Sequence, residues 1–243
     1  RYEDALREAE RAVESPREYA IASWALPELV EAAVRCGRPD AGADALGFVF
    51  YEKSPRRVEV ETARAIVEQL PEKVEKVGVF VGHTVQDMRR IVEQAGLTAA
   101  QVHGESSREL LEDPCSIDQQ IGIEKVIAVL PGDRLTKESF TISTEAKRKL
   151  YAVLFDSCSD QAPGGTGVAF NWQETKDMIQ AISLSVPVIV AGGLNSFNVA
   201  EAMNTFQPFG VDVASGTEVR PGKKDPQKVR AFVEAVKAAD KTA

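Results

Sequence analysis

Between residues 45 and 239, short apolar runs alternate with amphipathic stretches, and this regular alternation limits the possible folds more than any other feature. The apolar runs are continuous, as in KVGVFV (76–81) and PVIVA (187–191), which is typical of parallel strands buried on both faces. Strands are predicted at 45–50, 76–81, 99–103, 125–130, 152–155, 187–191 and 210–213. Helices are predicted at 61–70, 84–95, 106–111, 143–150, 172–182, 196–204 and 225–239. Seven strand–helix units in series indicate a parallel sheet joined by right-handed crossovers.

The positions of the glycine-rich turns distinguish two α/β architectures. A doubly wound open sheet usually carries its phosphate loop after the first strand, whereas a TIM-type barrel uses the loops after its late strands. Here the small-residue turns Gly164–Gly167, Gly192–Gly193 and Ser215–Gly216 all follow late strands. We therefore expect an α/β fold of the (β/α)8 barrel type, forming one domain over residues 1–243 with the barrel body at 41–243.

The first 40 residues do not follow this pattern and are expected to form an atypical helical segment. One helix is predicted from Glu3 to Glu14, a second begins after the capping pair Ser15-Pro16, and a third runs from Pro27 to about Gly37. No strand is predicted in this segment, so strand one of a barrel is expected to be absent or replaced.

Charge and composition argue against several classes of protein. The net charge is −8 and no extended basic patch appears, the segment 220–224 being only a short basic run, which argues against binding to nucleic acid. Apolar runs fall well short of the roughly 20 residues of a membrane span. Three cysteines without paired spacing (Cys36, Cys115 and Cys158) argue against a disulfide framework or a zinc site. We expect a cytoplasmic protein, a monomer or homodimer, that binds a small phosphorylated molecule without a metal.

The glycines of the three late turns are the candidate phosphate site. Glycine lets backbone N–H groups approach a ligand closely, and such groups at a helix start attract anions. The candidates are Gly165, Gly192, Gly193, Ser215 and Gly216. Tight turns without a ligand are the alternative, but three in succession favour a binding site.

Four polar residues at strand ends are candidates for catalysis or substrate contact. Asp156 ends its strand where barrel enzymes place their chemistry and is suited to be a general acid, although a cap or ion-pair role explains it equally well. Asp212 and His103 also lie in or at the end of strands, with a structural role as the alternative for the histidine. Arg56 follows the strand ending at Phe50 and can bind a carboxylate with two hydrogen bonds.

Several segments together resemble the phosphoribosylanthranilate isomerase family of tryptophan biosynthesis. They are AGADALGFVFYEKSPRRV (41–58), KVGVFV (76–81), QVHGE (101–105), LFDS with GGTG (154–167), FNW (170–172), PVIVAGGLNSFNVAEA (187–202) and GVDVASGTEVRPGKKD (210–225). The motifs occur in the order that the family has them. The resemblance extends from residue 41 to the end of the chain and is less distinctive at 106–150.

The resemblance implies a (β/α)8 enzyme that needs no cofactor and converts an aminoaldose into an aminoketose by an Amadori rearrangement. It implies that Asp156 is the general acid that opens the ribose ring and that Arg56 holds the anthranilate carboxylate. It further implies that Gly192–Gly193 and Ser215–Gly216 bind the phosphate and that Gly164–Gly167 encloses the substrate. His103 and Asp212 would line the site.

The family's general base is a cysteine at the end of strand one, and two interpretations of this chain remain open. In one, Glu3-Asp4-Ala5-Leu6 begins the family's first helix, an insert follows, and strand one with its cysteine is absent. In the other, Val34-Arg35-Cys36-Gly37 replaces the missing motif and Cys36 is the base, although this leaves no room for the first helix. Without the base, the chain would be a non-catalytic phosphate-binding barrel, which is the alternative function.

Overall fold

The structure is a computed structural model that describes residues 23–24, 44–112, 121–131, 142–156 and 172–240. Its main sheet is parallel, and each strand pairs with the next one along the chain. The strands are β1 (Ser23–Trp24), β2 (Ala45–Val49), β3 (Glu75–Val81), β4 (Ala99–His103), β5 (Lys125–Pro131), β6 (Ala152–Asp156), β7 (Val188–Val190) and β8 (Gly210–Val211). This strand order is that of a (β/α)8 barrel, as the sequence predicts.

Helices follow the strands from β2 onward, and their ends lie within three residues of the predicted ones. They are α1 (Val60–Val67), α2 (Val85–Ala95), α3 (Glu105–Glu112), α4 (Thr144–Lys149), α5 (Trp172–Ser183), α6 (Val199–Phe206) and α7 (Pro226–Asp240). Thr84 is the N-cap of α2, because its Oγ1 atom accepts a hydrogen bond from the backbone N–H of Asp87 at 3.1 Å. Among the helices of the described residues, none is long and apolar enough to cross a lipid bilayer.

The expectation that no strand precedes residue 45 is wrong. Ser23 and Trp24 form β1, which pairs in parallel with Leu46 and Gly47 of β2. β1 lies within the apolar stretch YAIASWAL (19–26), which shows neither the period of a helix nor that of a strand, so the sequence could not assign it to a strand. The three helices expected at 3–37 fall almost entirely outside the described residues.

The strands divide the core into two apolar clusters because successive side chains point to opposite faces of the sheet. The larger cluster fills the space between the sheet and the helices and includes Phe48, Phe80 and Phe155. The smaller one lies on the opposite face and includes Val77, Ile127 and Leu154, and it fills the barrel interior. This division determines which polar side chains at the strand ends face the interior.

After β8 the chain forms a short 3-10 turn at Ser215–Thr217 and then an antiparallel hairpin, made of β9 (Glu218–Arg220) and β10 (Lys223–Lys224). The hairpin turn contains Gly222, whose φ of 79° is in the left-handed region. A Cβ atom at Gly222 would lie 2.8 Å from the backbone oxygen of Pro55. The absence of a side chain therefore lets the hairpin turn pack against the loop between β2 and α1.

Candidate active site

A cleft lies at the carboxyl ends of the strands, with an empty volume of about 620 Å³ including the part open to solvent. Seven of the residues that the sequence predicts for the site line this cleft: Arg56, His103, Asp156, Gly192, Gly193, Asp212 and Ser215. They come from the ends of five different strands and the loops that follow them. The structure thus brings together residues that are up to 159 positions apart in the sequence.

The inward direction of Asp156 and His103 follows from the two-residue period of a strand. Asp156 lies two residues beyond Leu154, which belongs to the interior cluster, and His103 lies four residues beyond the interior residue Ala99. Both side chains are buried, Asp156 being 7% and His103 6% exposed. Two polar groups therefore lie at the top of the barrel interior, with the buried Gln101 and the apolar cluster below them.

His103 lies within hydrogen-bond distance of Gln101. The amide nitrogen of Gln101 lies 3.0 Å from Nε2 of His103, and both side chains are buried. Burial lowers the pKa of His103 to about 4, so the ring is neutral at pH 7. His103 is thus a neutral group in the cleft, not a cation that attracts an anion.

The loop after β7 is shaped to expose backbone N–H groups. Gly192 and Gly193 have φ values of 88° and 66°, which side chains with a Cβ rarely adopt. The carbonyl of Gly193 accepts a hydrogen bond from the side-chain amide of Asn198 at 3.0 Å. Since the N–H of a trans peptide points opposite to its carbonyl, the N–H of Leu194, a residue that lines the cleft, points away from Asn198.

The 3-10 turn after β8 packs directly onto this loop. A Cβ atom at Gly216 would lie only 1.9 Å from the backbone oxygen of Leu194, so glycine is required for the two loops to meet. Ser215, one residue earlier, lines the cleft. The loops after β7 and β8 therefore form one wall of small residues, which is the arrangement expected of a phosphate site in a barrel.

Arg56 is held in the cleft by an ion pair that the sequence does not predict. Its Nε and Nη2 atoms donate to the two carboxylate oxygens of Glu218, at 2.8 and 2.7 Å. The Arg56 and Glu218 side chains are only 15% and 4% exposed. A two-pronged pair with this little exposure fixes the plane of the guanidinium group.

Lys224 is a second cation beside Glu218. Its Nζ atom donates to the backbone oxygen of Ala214 at 2.7 Å and to Oγ1 of Thr217 at 3.0 Å, and it lies 3.9 Å from Glu218 Oε1. Burial lowers the pKa of Lys224 to about 8, while the negative charges of Glu218 and Asp212 act in the opposite direction. Arg56, Glu218 and Lys224 therefore form a buried charge cluster beside the cleft.

Three of the predicted site residues are not placed in the cleft. Gly216 lies next to it, in the 3-10 turn. Cys36 and Gly165 lie outside the described residues. The residues that follow β1 in the sequence are Ala25, Leu26 and Pro27, so no cysteine stands immediately after this strand.

Sequence reasoning missed Glu218, Lys224 and Gln101. The segment EVRPGKK (218–224) contains a Pro-Gly pair between short polar stretches, and from this hairpin signal β9 and β10 could have been predicted. Gln101 stands two residues before His103 on a predicted strand, so a shared face could have been inferred from the two-residue period.

Comparisons with known proteins agree with this geometry. The family model described as N-(5'phosphoribosyl)anthranilate (PRA) isomerase matches residues 32–235. The N-(5'-phosphoribosyl)anthranilate isomerase of Pseudomonas putida (strain GB-1) is 41% identical over 204 residues, which cover 82% of this chain and 90% of that protein.

Solved structures give the same result at the level of the fold. The crystal structure of phosphoribosyl anthranilate isomerase from Thermotoga maritima superposes with a TM-score of 0.69 at 30% identity, covering 92% of this chain and 100% of the other. A phosphoribosyl anthranilate isomerase in complex with reduced 1-(o-carboxyphenylamino)-1-deoxyribulose 5-phosphate superposes with a TM-score of 0.68 at 29% identity, covering 90% and 99%. Since the family model spans most of the sequence and these relatives align over nearly their whole length, this chain belongs to the N-(5'-phosphoribosyl)anthranilate isomerase family.

Proposed function

We propose that this chain catalyses the Amadori rearrangement of N-(5-phosphoribosyl)anthranilate to 1-(2-carboxyphenylamino)-1-deoxyribulose 5-phosphate, a step of tryptophan biosynthesis. The observation that carries the proposal is that Asp156 opens into the same cleft as the Gly192–Gly193 loop. An acid and an anion-binding wall in one cleft suit a substrate with a ring to open and a phosphate to hold. Family membership and the names of the curated relatives support the same reaction.

Asp156 is the general acid of the proposed mechanism. Its carboxyl group protonates the ribose ring oxygen, so the bond between that oxygen and C1 breaks and a C1–nitrogen iminium forms. A base then removes the proton from C2, and the electrons of that bond neutralise the iminium to give an enolamine. Tautomerisation of the enolamine gives the aminoketose, so the reaction needs no redox partner and leaves the atom count unchanged.

The remaining cleft residues bind the two ends of the substrate. The wall formed by the loops after β7 and β8 (Gly192, Gly193, Ser215 and Gly216) holds the phosphate through backbone N–H groups. Arg56 binds the carboxylate on the aromatic ring, because a guanidinium group matches a carboxylate in geometry and charge. Asp212 and the neutral His103 lie between these ends and contact the sugar hydroxyls.

Replacing Asp156 with Asn tests the acid directly. The amide keeps the shape of the side chain but cannot donate a proton to the ring oxygen, so we expect kcat to fall by about 10²- to 10⁴-fold. The loss of anthranilate-type fluorescence from freshly prepared substrate measures the rate. Asp177→Asn, an exposed carboxylate of α5, is the matched control and should keep full activity. Activity that survives Asp156→Asn would show that another group opens the ring.

The identity of the base is tested by exchanging the cysteines one at a time. We expect Cys36→Ser to lower kcat strongly, because a hydroxyl is a far weaker base than a thiolate at neutral pH. Cys115→Ser serves as the control with the same chemical change. Equal activity of the two variants would exclude Cys36 as the general base, and another residue would have to remove the proton from C2.

A further inference from the structure

The guanidinium group of Arg56 has two edges that can each bind a carboxylate with two hydrogen bonds. Glu218 occupies the edge formed by Nε and Nη2. Among the described residues, Nη1 has no hydrogen-bond partner, and the arginine lines the cleft. The edge formed by Nη1 and Nη2 is therefore the one that can accept a second carboxylate.

Glu218 is itself firmly held in place. Lys224 Nζ lies 3.9 Å from Glu218 Oε1, and Lys228 Nζ donates to the Glu218 backbone oxygen at 2.8 Å. Because Arg56 and Lys224 are mostly buried, moving Glu218 away would take from both cations the carboxylate beside them, which is costly. Glu218 is thus a fixed support and not a side chain that swings aside when a ligand enters.

Lys224 also affects how strongly Arg56 attracts a second anion. A carboxylate paired with Arg56 alone would neutralise it and weaken its attraction for a second anion. Here the negative charge of Glu218 is shared between Arg56 and Lys224. Arg56 therefore still attracts an anionic ligand in the cleft.

We propose that Glu218 is a positioning residue that orients Arg56 to bind the carboxylate of the substrate, and that Lys224 supports it by sharing its charge. This inference rests on the function proposed above and assigns roles to two residues of the β9–β10 hairpin. Through these two residues, the β9–β10 hairpin helps the protein select an aromatic amine that carries a carboxylate in the ortho position.

The test compares two ligands that differ only in the carboxylate. One is reduced 1-(o-carboxyphenylamino)-1-deoxyribulose 5-phosphate, and the other is its counterpart prepared from aniline, which lacks the carboxyl group. Titration calorimetry gives the affinity of each ligand for the wild type and the variants. In Glu218→Gln the side chain keeps its size but can accept from Arg56 with only one oxygen, so the guanidinium loses its two-pronged support.

We expect Glu218→Gln to weaken binding of the carboxylated ligand by about 10- to 100-fold, the range of a charge-assisted hydrogen bond. Binding of the aniline ligand should stay within about twofold of the wild type, because the sugar and phosphate contacts are unchanged. Lys224→Met should weaken binding of both ligands, because Lys224 also holds Ala214 and Thr217 beside the phosphate wall, but it should weaken the carboxylated ligand more. In turnover, KM should rise while kcat stays constant, since the carboxylate contact is equal in the ground and transition states.

Matched variants complete the design. Glu59→Gln removes the carboxylate of the exposed Arg57–Glu59 pair in the same loop and should change neither affinity. The double variant Arg56→Ala with Glu218→Gln should bind the carboxylated ligand no more weakly than Arg56→Ala alone, because Glu218 acts through Arg56. If Glu218→Gln does not fold, Glu218→Asp replaces it, because the shorter chain cannot reach both Nε and Nη2.

The outcomes separate this inference from the proposed function. Equal weakening of both ligands in Glu218→Gln would mean a structural role only and would overturn the inference. Unchanged binding of both ligands would also overturn it and would leave the proposed function intact. A wild-type protein that binds neither ligand would overturn the proposed function and the inference with it.

Discussion

His103 combines burial, a neutral ring and a place in the cleft. Its pKa of about 4 in the folded protein lies below the ordinary value of 6.5 that it has in an unfolded chain. As the pH falls through 6.5, the unfolded chain therefore takes up a proton before the folded one does. Stability associated with the neutral ring is fully present above pH 6.5 and is lost as the pH falls towards 4.

This predicts a pH-dependent difference between the wild type and His103→Asn. Between pH 6.5 and 4, the imidazole of His103 alone should lower the free energy of unfolding of the wild type by up to about 3 kcal/mol. Asn cannot be protonated, so the variant should lose less over the same range. Urea unfolding at pH 7, 5.5 and 4.5 gives the slope of the free energy of unfolding against pH for each protein. His83 is present in both proteins, so its contribution cancels in the difference between the slopes. Parallel slopes would mean that His103 does not titrate in the way its burial implies.

The loops after β7 and β8 interlock at Gly216, and the requirement there is purely steric. Gly216→Ala would place a methyl group against the Leu194 carbonyl, so one of the two loops must move. We expect at least a tenfold rise in KM, a loss of about 1.4 kcal/mol in binding, because the wall of N–H groups is displaced. Steady-state kinetics and binding of inorganic phosphate measure the effect.

Gly82→Ala is the matched control for that variant. Gly82 has a φ of 67° but open space around its missing Cβ, so alanine there is strained without a clash. It should cost about 1–2 kcal/mol in the free energy of unfolding and leave KM unchanged. If both variants alter KM equally, backbone strain rather than loop displacement explains the result.

The elements that could be predicted from the sequence are those with a strong periodic signal. Lys76–Val81 and Ala152–Phe155 are apolar runs long enough to specify buried strands, and β3 and β6 extend over them with one residue more each. The hairpin of β9 and β10 has strands of three and two residues, too short for any periodicity. β1 also lacks a periodic signal.

The residues of the candidate site also differ in whether the sequence could predict their positions. Asp156 and His103 could be placed in the cleft because a strand fixes the direction of every second side chain. The pairing of Arg56 with Glu218 could not be predicted, since these residues are 162 positions apart and no local rule relates them. Contacts of this kind form only when the sheet brings the loop after β2 and the hairpin after β8 together.

At the scale of the whole molecule, the apolar filling of the barrel supports the fold and the cleft at its mouth supports the chemistry. Ile127 belongs to the interior cluster, and Val129 lies between it and the carboxyl end of β5. We expect Ile127→Ala to lower the free energy of unfolding by about 2–5 kcal/mol through the cavity it leaves. KM should change little, because the cleft residues keep their positions.

Leu184→Ala is the control for the interior variant, since Leu184 is 89% exposed. Urea unfolding should show a change within about 0.5 kcal/mol for this surface position. A large KM change in Ile127→Ala would contradict the separation of the two layers.

The packing of Gly222 against Pro55 has a consequence for how the protein folds. It joins a loop near the start of the described chain to a hairpin near its end, so loop-closure entropy opposes it until the intervening strands are in place. Contacts of such high sequence separation slow folding and form late. Recognition of the carboxylate should therefore be the last property to recover during refolding, after the far-ultraviolet circular dichroism signal. A folding intermediate that lacks only this contact would have the circular dichroism signal of the folded protein but would not yet recognise the carboxylate of the substrate.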